Sequence, residues 1–290
     1  VNASASTAPD PNRVRLWRTS RHDIDLGRVR VMGIVNVTPD SFSDGGRDVA
    51  AALAHCEQLL AEGADILDIG GESSRPGAAA VDVSTELQRV LPVLRAALTL
   101  GVPVSLDTCK TEVMQAALGL GVDIVNDIQA LQAPGALDVV ATHPRCGVCL
   151  MHMRGQPRSM QADPVYADVV AEVAAFLGER AGLLRARGVA AERITLDPGI
   201  GFGKTVAHNF ALLAGQQALL DLGCEVLAGW SRKSSVGAVT GRKVGERLVG
   251  SVAAALAAVQ WGARIVRVHD VAATVDALKV WAAAGLTAHR

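Results

Sequence analysis

The sequence predicts an α/β fold, a closed (β/α)8 barrel, and three observations predict it. Short apolar runs rich in β-branched residues alternate with helical stretches from residue 31 to the end. The alternation recurs about every 25–40 residues and passes through roughly eight strand-then-helix units, which favours a closed barrel over an open sheet. Almost every apolar run ends in polar or charged residues: Asn36, Asp68, Asp107, Asn126, His152, Asp197, Ser231 with Lys233, and Arg267 with His269.

The elements follow in order. Residues 1–12 (V-N-A-S-A-S-T-A-P-D-P-N) are polar and Pro-containing and are expected to be a disordered tail. Residues 13–30 are Arg-rich with short apolar alternation. They predict a small β-hairpin, turning between Thr19 and Asp23, that closes the bottom of the barrel. The stretch V-M-G-I-V-N-V-T-P-D-S-F-S-D-G-G at 31–46 is a buried strand that delivers Asn36 to its C-terminal end, followed by a polar loop closed by Gly45-Gly46. Helical patterns over 49–62, 85–100, 110–120, 134–142, 166–187, 208–222 and 245–261 each lead into the next apolar run, and 271–284 is a final helix. Gly63, Gly101, Gly121, Gly188 and Gly262 stand where helices would hand over to strands and fit helix C-caps. No low-complexity linker interrupts the chain, so residues 13–290, hairpin included, are expected to form one domain.

Composition excludes several classes. Net charge is −1 and aromatics are 3% of residues, so neither a basic surface for nucleic acid nor stacking platforms for single strands are expected. No uncharged apolar run approaches the roughly 18 residues that span a bilayer. The first residues lack the apolar core of a signal peptide and the five cysteines lack a framework spacing, so a cytoplasmic protein with free thiols is expected. Cys146 and Cys149 have a C-x-x-C spacing but no second pair. On a strand they would point to opposite faces, as two buried structural cysteines.

In this fold the strand C-termini form the active-site mouth. Asp and Asn are also the usual helix N-caps, and Thr108 and Asp127 suit that role. All the polar strand ends being caps is a poor account of so many. Carboxylates at Asp68, Asp107 and Asp197, the amides of Asn36 and Asn126, Lys233 and Arg267 form a set that hydrogen-bonds a flat, nitrogen-rich heterocycle. A cage for a divalent metal is the alternative, and the lysine and arginine within the same ring of residues disfavour it. Ser231-Arg232-Lys233-Ser234, Arg267 and His269 follow the last two strands, where barrels of this kind often bind phosphate. Arg267 and His269 are two residues apart and would share a strand face. The loops 38–46 and 70–77 are Gly/Ser-rich and suit lids. D-P-G-I-G-F-G-K at 197–204 does not meet G-x-x-x-x-G-K-[ST], since Gly199 stands too close to Gly203. It is expected to be a close-approach loop carrying Phe202 and Lys204 beside the site.

Taken together, N-V-T-P-D-S-F-S-D-G-G, D-I-G-G-E-S-S-R-P-G, D-T, N-D-I, M-H-M, D-P-G-I-G-F-G-K, S-R-K-S and R-V-H-D, in this order from residue 31 to the final helix, resemble the bacterial dihydropteroate synthases. The resemblance implies a TIM barrel that condenses 6-hydroxymethyl-7,8-dihydropterin diphosphate with 4-aminobenzoate, giving 7,8-dihydropteroate and pyrophosphate in folate biosynthesis. It implies Mg²⁺ as cofactor, a homodimer, and inhibition by sulfonamides that mimic 4-aminobenzoate. It implies that Asp107, Asn126, Asp197 and Lys233 hold the pterin with Asp68 nearby. Arg267 would stack on the ring and reach the diphosphate. Asn36, Arg75 and His269 would hold the diphosphate, with Asn36 the Mg²⁺ contact. Ser73, Ser74, Pro76, Phe202 and Ser234 would frame the aminobenzoate. Asp107, Lys233, Arg267 and His269 are the implied catalytic residues. Ser74 stands where threonine is common, a small departure.

Two other readings share parts of this pattern. A pterin-dependent methyltransferase barrel would use the same Asp and Asn positions but has no use for Asn36, Arg75 and His269 as a diphosphate set. A non-catalytic pterin-binding paralogue would tolerate loss of a basic residue, and none is missing. The apolar helix around 249–259 suits either a subunit interface or the core.

Overall fold

The computed structural model describes residues 15–37, 45–73, 77–78, 80–156 and 160–286. The expected tail at 1–12 and most of the loop at 38–46 lie outside them, as do Ser74, Arg75 and Pro76. The barrel strands are β3 (Arg30–Asn36), β4 (Ile66–Gly70), β5 (Val104–Asp107), β6 (Ile124–Asp127), β7 (Gly147–Met151), β8 (Ile194–Asp197), β9 (Glu225–Ala228) and β10 (Ile265–Val268). All pair in parallel in chain order, and β10 closes on β3. This is the predicted eight-stranded barrel.

The hairpin is present as β1 (Leu16–Arg18) and β2 (Asp23–Asp25), antiparallel, with the turn at the expected place. Its Trp17, Ile24 and Leu26 are buried on Met32, Ile66, Ile124, Leu227 and Ile265, residues at or near the starts of five barrel strands. Burying each such side chain contributes about 1.5–3 kcal/mol, so the hairpin is a floor held by the hydrophobic effect. Polar contacts fix its orientation. Trp17 Nε1 donates to the Arg193 carbonyl at 3.1 Å, and Arg21 pairs with the fully buried Asp123 at 2.6 Å.

The helices α1 (Gly45–Ala61), α2 (Val83–Ala97), α3 (Thr111–Leu120), α4 (Ala136–Thr142) and α5 (Val169–Ala186) follow the predicted pattern, α1 and α2 starting a few residues earlier than predicted and the others trimmed at their ends. Asp82 and Asp168 cap α2 and α5, their carboxylates accepting from backbone N–H groups of the first turn. The stretch expected as one helix at 208–222 is two, α6 (Val206–Ala214) and α7 (Gln217–Leu220). Between them Gly215 is pressed on α5, where a Cβ would sit 2.8 Å from Val170 Cγ2. A further short helix, α8 (Ser234–Thr240), precedes α9 (Leu248–Gln260) and α10 (Val271–Ala283). No helix among the described residues is long and apolar enough to cross a membrane.

Register sets the depth of each polar residue. Asn36, Gly70, Asp107 and Asn126 are successive cross-strand partners, so they form one layer at the C-terminal rim. Asp68 pairs with Ser105, one layer below Asp107, and is fully buried. Cys146 and Cys149 are buried and free, as expected.

Candidate active site

One cation organises the mouth. Arg267 on β10 reaches across the barrel, donating from Nε to Asp68 Oδ2 at 2.6 Å and from Nη2 to Asp107 Oδ2 at 2.6 Å. Asn126 donates to the same Asp68 oxygen at 3.1 Å. Asp68 Oδ1 is buried and meets no donor among the described residues. Burial raises Asp107 to about 7, against the pull of the Arg267 guanidinium and with the push of Asp68. Burial works against the charge of Arg267, but Asp68 and Asp107 outweigh it and raise the guanidinium further.

Asp197 ends β8, and its Oδ1 accepts from the Gly199 N–H at 2.7 Å. Burial still raises its carboxyl above the ordinary range, opposed by that bond and by Lys233. Lys233 lies over the Phe202 ring, Nζ 4.1 Å from the centroid, and desolvation lowers it to about 8. Phe202 is buried with Met151 and Met160, and Ile128 and Met153 pack against them. Phe202 was expected beside the site, and its methionine neighbours were not, because methionines carry no periodicity.

Arg232 adopts φ +58, a left-handed conformation that costs a non-glycine residue about 1 kcal/mol or more. It is held by its ion pair with Asp270 at 2.6 Å and by its N–H donating to Ser251 Oγ at 2.9 Å. The kink turns the following Lys233 into the mouth. His269, just past the end of β10, contacts Ser231 Oγ through Nδ1 at 3.0 Å, and its N–H donates to the same hydroxyl at 3.1 Å. The loops after β9 and β10 are therefore tied together at the expected anion side.

Thr108 and Asp127 make local turns and are not the helix caps they suited: the N-caps of α3 and α4 are Lys110 and Gly135. Thr108 Oγ1 accepts from Lys110 N, and Asp127 accepts from the N–H groups of Gln129 and Leu131. Asp68, Asp107 and Asn126 bond across the barrel instead. Ser73 lines a cavity of ≈ 340 Å³ beside Asp107, Asn36 stands at the end of β3, and Ser234 opens α8 on the exposed side.

One expectation needs correction. Lys204 does not face the mouth: it is buried beneath the 199–203 loop. Its Nζ donates to the carbonyls of Gly199 and Phe202 at 3.0 Å and of His152 at 3.2 Å, and meets His152 Nδ1 at 2.9 Å. Burial lowers Lys204 to about 7, and burial together with Lys204 lowers His152 to about 3. His152, expected at the mouth, is spent on this brace. The glycines make the brace possible, since a Cβ on Gly199 would lie 1.9 Å from the His152 oxygen.

Residues 32–269 match the family model described as pterin binding enzyme. The dihydropteroate synthase of Neisseria meningitidis serogroup C is 53% identical over 277 residues, covering 93% of this chain and 98% of that protein. The chain belongs to the dihydropteroate synthase family. Two solved dihydropteroate synthases share its fold closely. That of Xanthomonas albilineans, with 4-aminobenzoic acid, is 53% identical at a TM-score of 0.87, covering 93% of this chain and 98% of that one. That of Burkholderia cenocepacia, complexed with 7,8-dihydropteroate, is 50% identical at a TM-score of 0.85, covering 94% and 97%.

Proposed function

We propose that this barrel condenses 6-hydroxymethyl-7,8-dihydropterin diphosphate with 4-aminobenzoate to give 7,8-dihydropteroate and pyrophosphate. The observation that carries the reading is the convergence of Asp68, Asp107, Asn126, Asp197, Lys233 and Arg267 on one barrel mouth, with basic loops beside them. The carboxylates accept from the ring N–H and amine groups of a pterin, and Lys233 donates to its carbonyl. The wall of Phe202 and the methionines supports the ring face.

In the reaction the arylamine nitrogen attacks the exocyclic methylene, the methylene C–O bond breaks, and pyrophosphate leaves with the electron pair. The amine then gives up its proton. Arg267 and His269, with Arg75, stabilise the charge growing on the leaving oxygen. The nearby carboxylates favour the electron-poor methylene, and positioning of the weak amine supplies much of the remaining rate. Ser73, Ser74, Pro76, Phe202 and Ser234 frame the aminobenzoate, the pocket that sulfonamides would occupy. Mg²⁺ neutralises diphosphate charge when bound. Among the described residues no group of three or more His, Cys, Asp or Glu forms a metal cage. Asn36 is the residue that would hold such an ion, through its side-chain amide oxygen, together with the diphosphate.

The reading includes a cytoplasmic homodimer. Helix α9 buries Ser251, Ala255, Ala258 and Val259 while Leu248 and Val249 stay exposed, the latter at 80%, leaving an apolar edge for a second copy. Pyrophosphate release measured with and without 4-aminobenzoate tests the activity. Release that does not depend on the arylamine would overturn the condensation. Sedimentation at micromolar concentration tests the dimer.

A further inference from the structure

Two loops of the mouth are joined by one neutral side chain. Asn209 lies on the buried face of α6 and is 1% exposed, a place where an amide side chain is seldom found. Its Oδ1 accepts from the Gly201 N–H at 2.9 Å. That backbone donor fixes which end of the amide is the oxygen. The Nδ2 end therefore faces the other way, donating to Ser235 Oγ at 2.7 Å. Ser235 is equally buried, in the first turn of α8. Gly201 belongs to the loop after β8, and Ser235 to the segment after β9, so one side chain spans the step between them.

The link brings two mouth residues into register. Phe202 follows Gly201, and Lys233 stands two residues before Ser235. Lys233 Nζ lies 4.1 Å from the Phe202 ring centroid. The lysine stem runs over Gly201 itself: a Cβ there would lie 3.2 Å from Lys233 Cδ, at a φ of +82. The bare glycine leaves room for the lysine, and Asn209 grips that glycine's N–H. The Lys233 carbonyl accepts from the N–H groups of Val236 at 3.1 Å and Gly237 at 3.3 Å, so a shift of the α8 start carries Lys233 with it. A buried Asn–Ser pair adds little to stability, since apolar groups of the same shape in both places are often nearly neutral, whereas it fixes a distance.

We infer that Asn209, through Gly201 and Ser235, is a positioning residue that holds the Lys233 amine over Phe202 in the place where it meets the pterin. The inference rests on the reading above that Lys233 donates to the pterin carbonyl. Neither Asn209 nor Ser235 is ionised. Replacing them changes no formal charge beside Asp107, Asp197 or Arg267, the charged groups that act on Lys233. Their effect on the site passes through placement.

The test is calorimetric affinity for 6-hydroxymethyl-7,8-dihydropterin, which lacks the diphosphate. The variants are Asn209→Leu, Ser235→Ala, Ser235→Thr, Lys233→Met and the double variant Asn209→Leu/Lys233→Met. Leucine keeps roughly the volume of asparagine. Ser235→Ala removes a single oxygen, and it carries the test where the leucine variant does not fold. Asn209→Leu should bind the pterin about tenfold more weakly and Ser235→Ala about threefold, while Ser235→Thr, which keeps the hydroxyl, should recover that loss. In the Lys233→Met background Asn209→Leu should add no further loss, because the group that it places is gone. Unchanged affinity in Asn209→Leu and Ser235→Ala, beside a loss in Lys233→Met, overturns the inference and keeps Lys233 in the pterin subsite. A loss that recurs in full in the Lys233→Met background also overturns it, and leaves Asn209 as support for the loop as a whole. Unchanged affinity in Lys233→Met removes the lysine from the pterin subsite, and the inference with it.

Discussion

Replacing Arg267 by methionine tests whether the mouth is held by one shared cation. The side chain is 21% exposed and bridges Asp68, fully buried, and Asp107, 16% exposed, through two bonds of 2.6 Å. Removing one partner of a buried pair costs about 3–5 kcal/mol, because it strands a charge. With partial exposure at one carboxylate the lower half applies, about 3–4 kcal/mol, or roughly a 6–8 °C fall in Tm for a chain this long. Asp68→Asn alone leaves Arg267 paired with Asp107 and should cost about 1–3 kcal/mol. In the double variant no charge is stranded at position 68, so its cost should fall short of the sum by about 0.5–3 kcal/mol. The pH dependence has a definite sign. Asp107 sits at about 7 with Arg267 opposing the rise, so without the guanidinium it goes higher. A carboxyl raised on folding contributes stability that is present below its unfolded value and lost as pH rises through the folded one. The penalty of Arg267→Met should therefore be larger at pH 8 than at pH 5. Urea melts of the four proteins at both pH values measure all of this. Additive costs, or a penalty that shrinks toward pH 8, would refute the shared-cation account.

The other predictions are briefer. Asp107→Ala and Asp197→Ala should each weaken binding of a pterin lacking the diphosphate by about 1–3 kcal/mol, read by calorimetry, and unchanged affinity in both would remove them from the pterin subsite. Gly199→Ala should destabilise far more than Gly241→Ala in urea melts. Both have φ near +70, but Gly199 alone faces a carbonyl, at 1.9 Å, while Gly241 faces open space. Lys204 is lowered from 10.5 to about 7, so it contributes stability present at high pH and lost as pH falls through that value. Lys204→Met should flatten the stability profile between about pH 10 and 7, and an unchanged profile would count against the buried-amine brace. Pyrophosphate should tighten binding of the diphosphate-free pterin, measured as the ratio of pterin affinities with and without it, and a ratio of one would sink that coupling.

The barrel was legible because its signals are local and repeated. Apolar runs, helical periods and C-capping glycines each report on a few neighbouring residues, and Gly63, Gly101, Gly121, Gly188 and Gly262 all have positive φ as the pattern requires. The rim was legible for a related reason: polar residues that close an apolar run stand out against it, as Asn36, Asp107, Asn126 and Asp197 do, with Asp68 one layer below them. What the sequence did not disclose were partnerships. Arg267 and Asp68 are 199 residues apart, and nothing local marks them as bonded. The same holds for Lys110 with Glu86, and for Arg232 with Asp270, which permits a left-handed residue without glycine. Lys204 was placed on the right loop but the wrong side of it, because burial of a lysine depends on three carbonyls that only the folded loop brings together.

The pairing at Arg267 also bears on how a two-ended substrate is recognised. The guanidinium bonds one oxygen each of Asp68 and Asp107, the carboxylates in turn neutralise it, and Asp68 Oδ1 meets no donor among the described residues. A pterin diphosphate carries donors at one end and acceptors at the other. If the diphosphate takes the guanidinium, two buried acceptors are left in need of donors, which costs about 1–3 kcal/mol each or more when charged. The pterin N–H groups are donors of the right kind to meet that need. A diphosphate arriving alone would break bonds that it does not replace, while a pterin arriving with it would supply donors to the carboxylates that the guanidinium leaves. The energetic consequence is positive coupling between the two ends, and it requires no movement of the barrel. The same exchange bears on Asp107: once the cation turns to phosphate, its carboxyl rises above about 7 unless a pterin donor replaces the guanidinium. On the proposed function the pterin ring and the diphosphate would thus be recognised jointly, through one arginine.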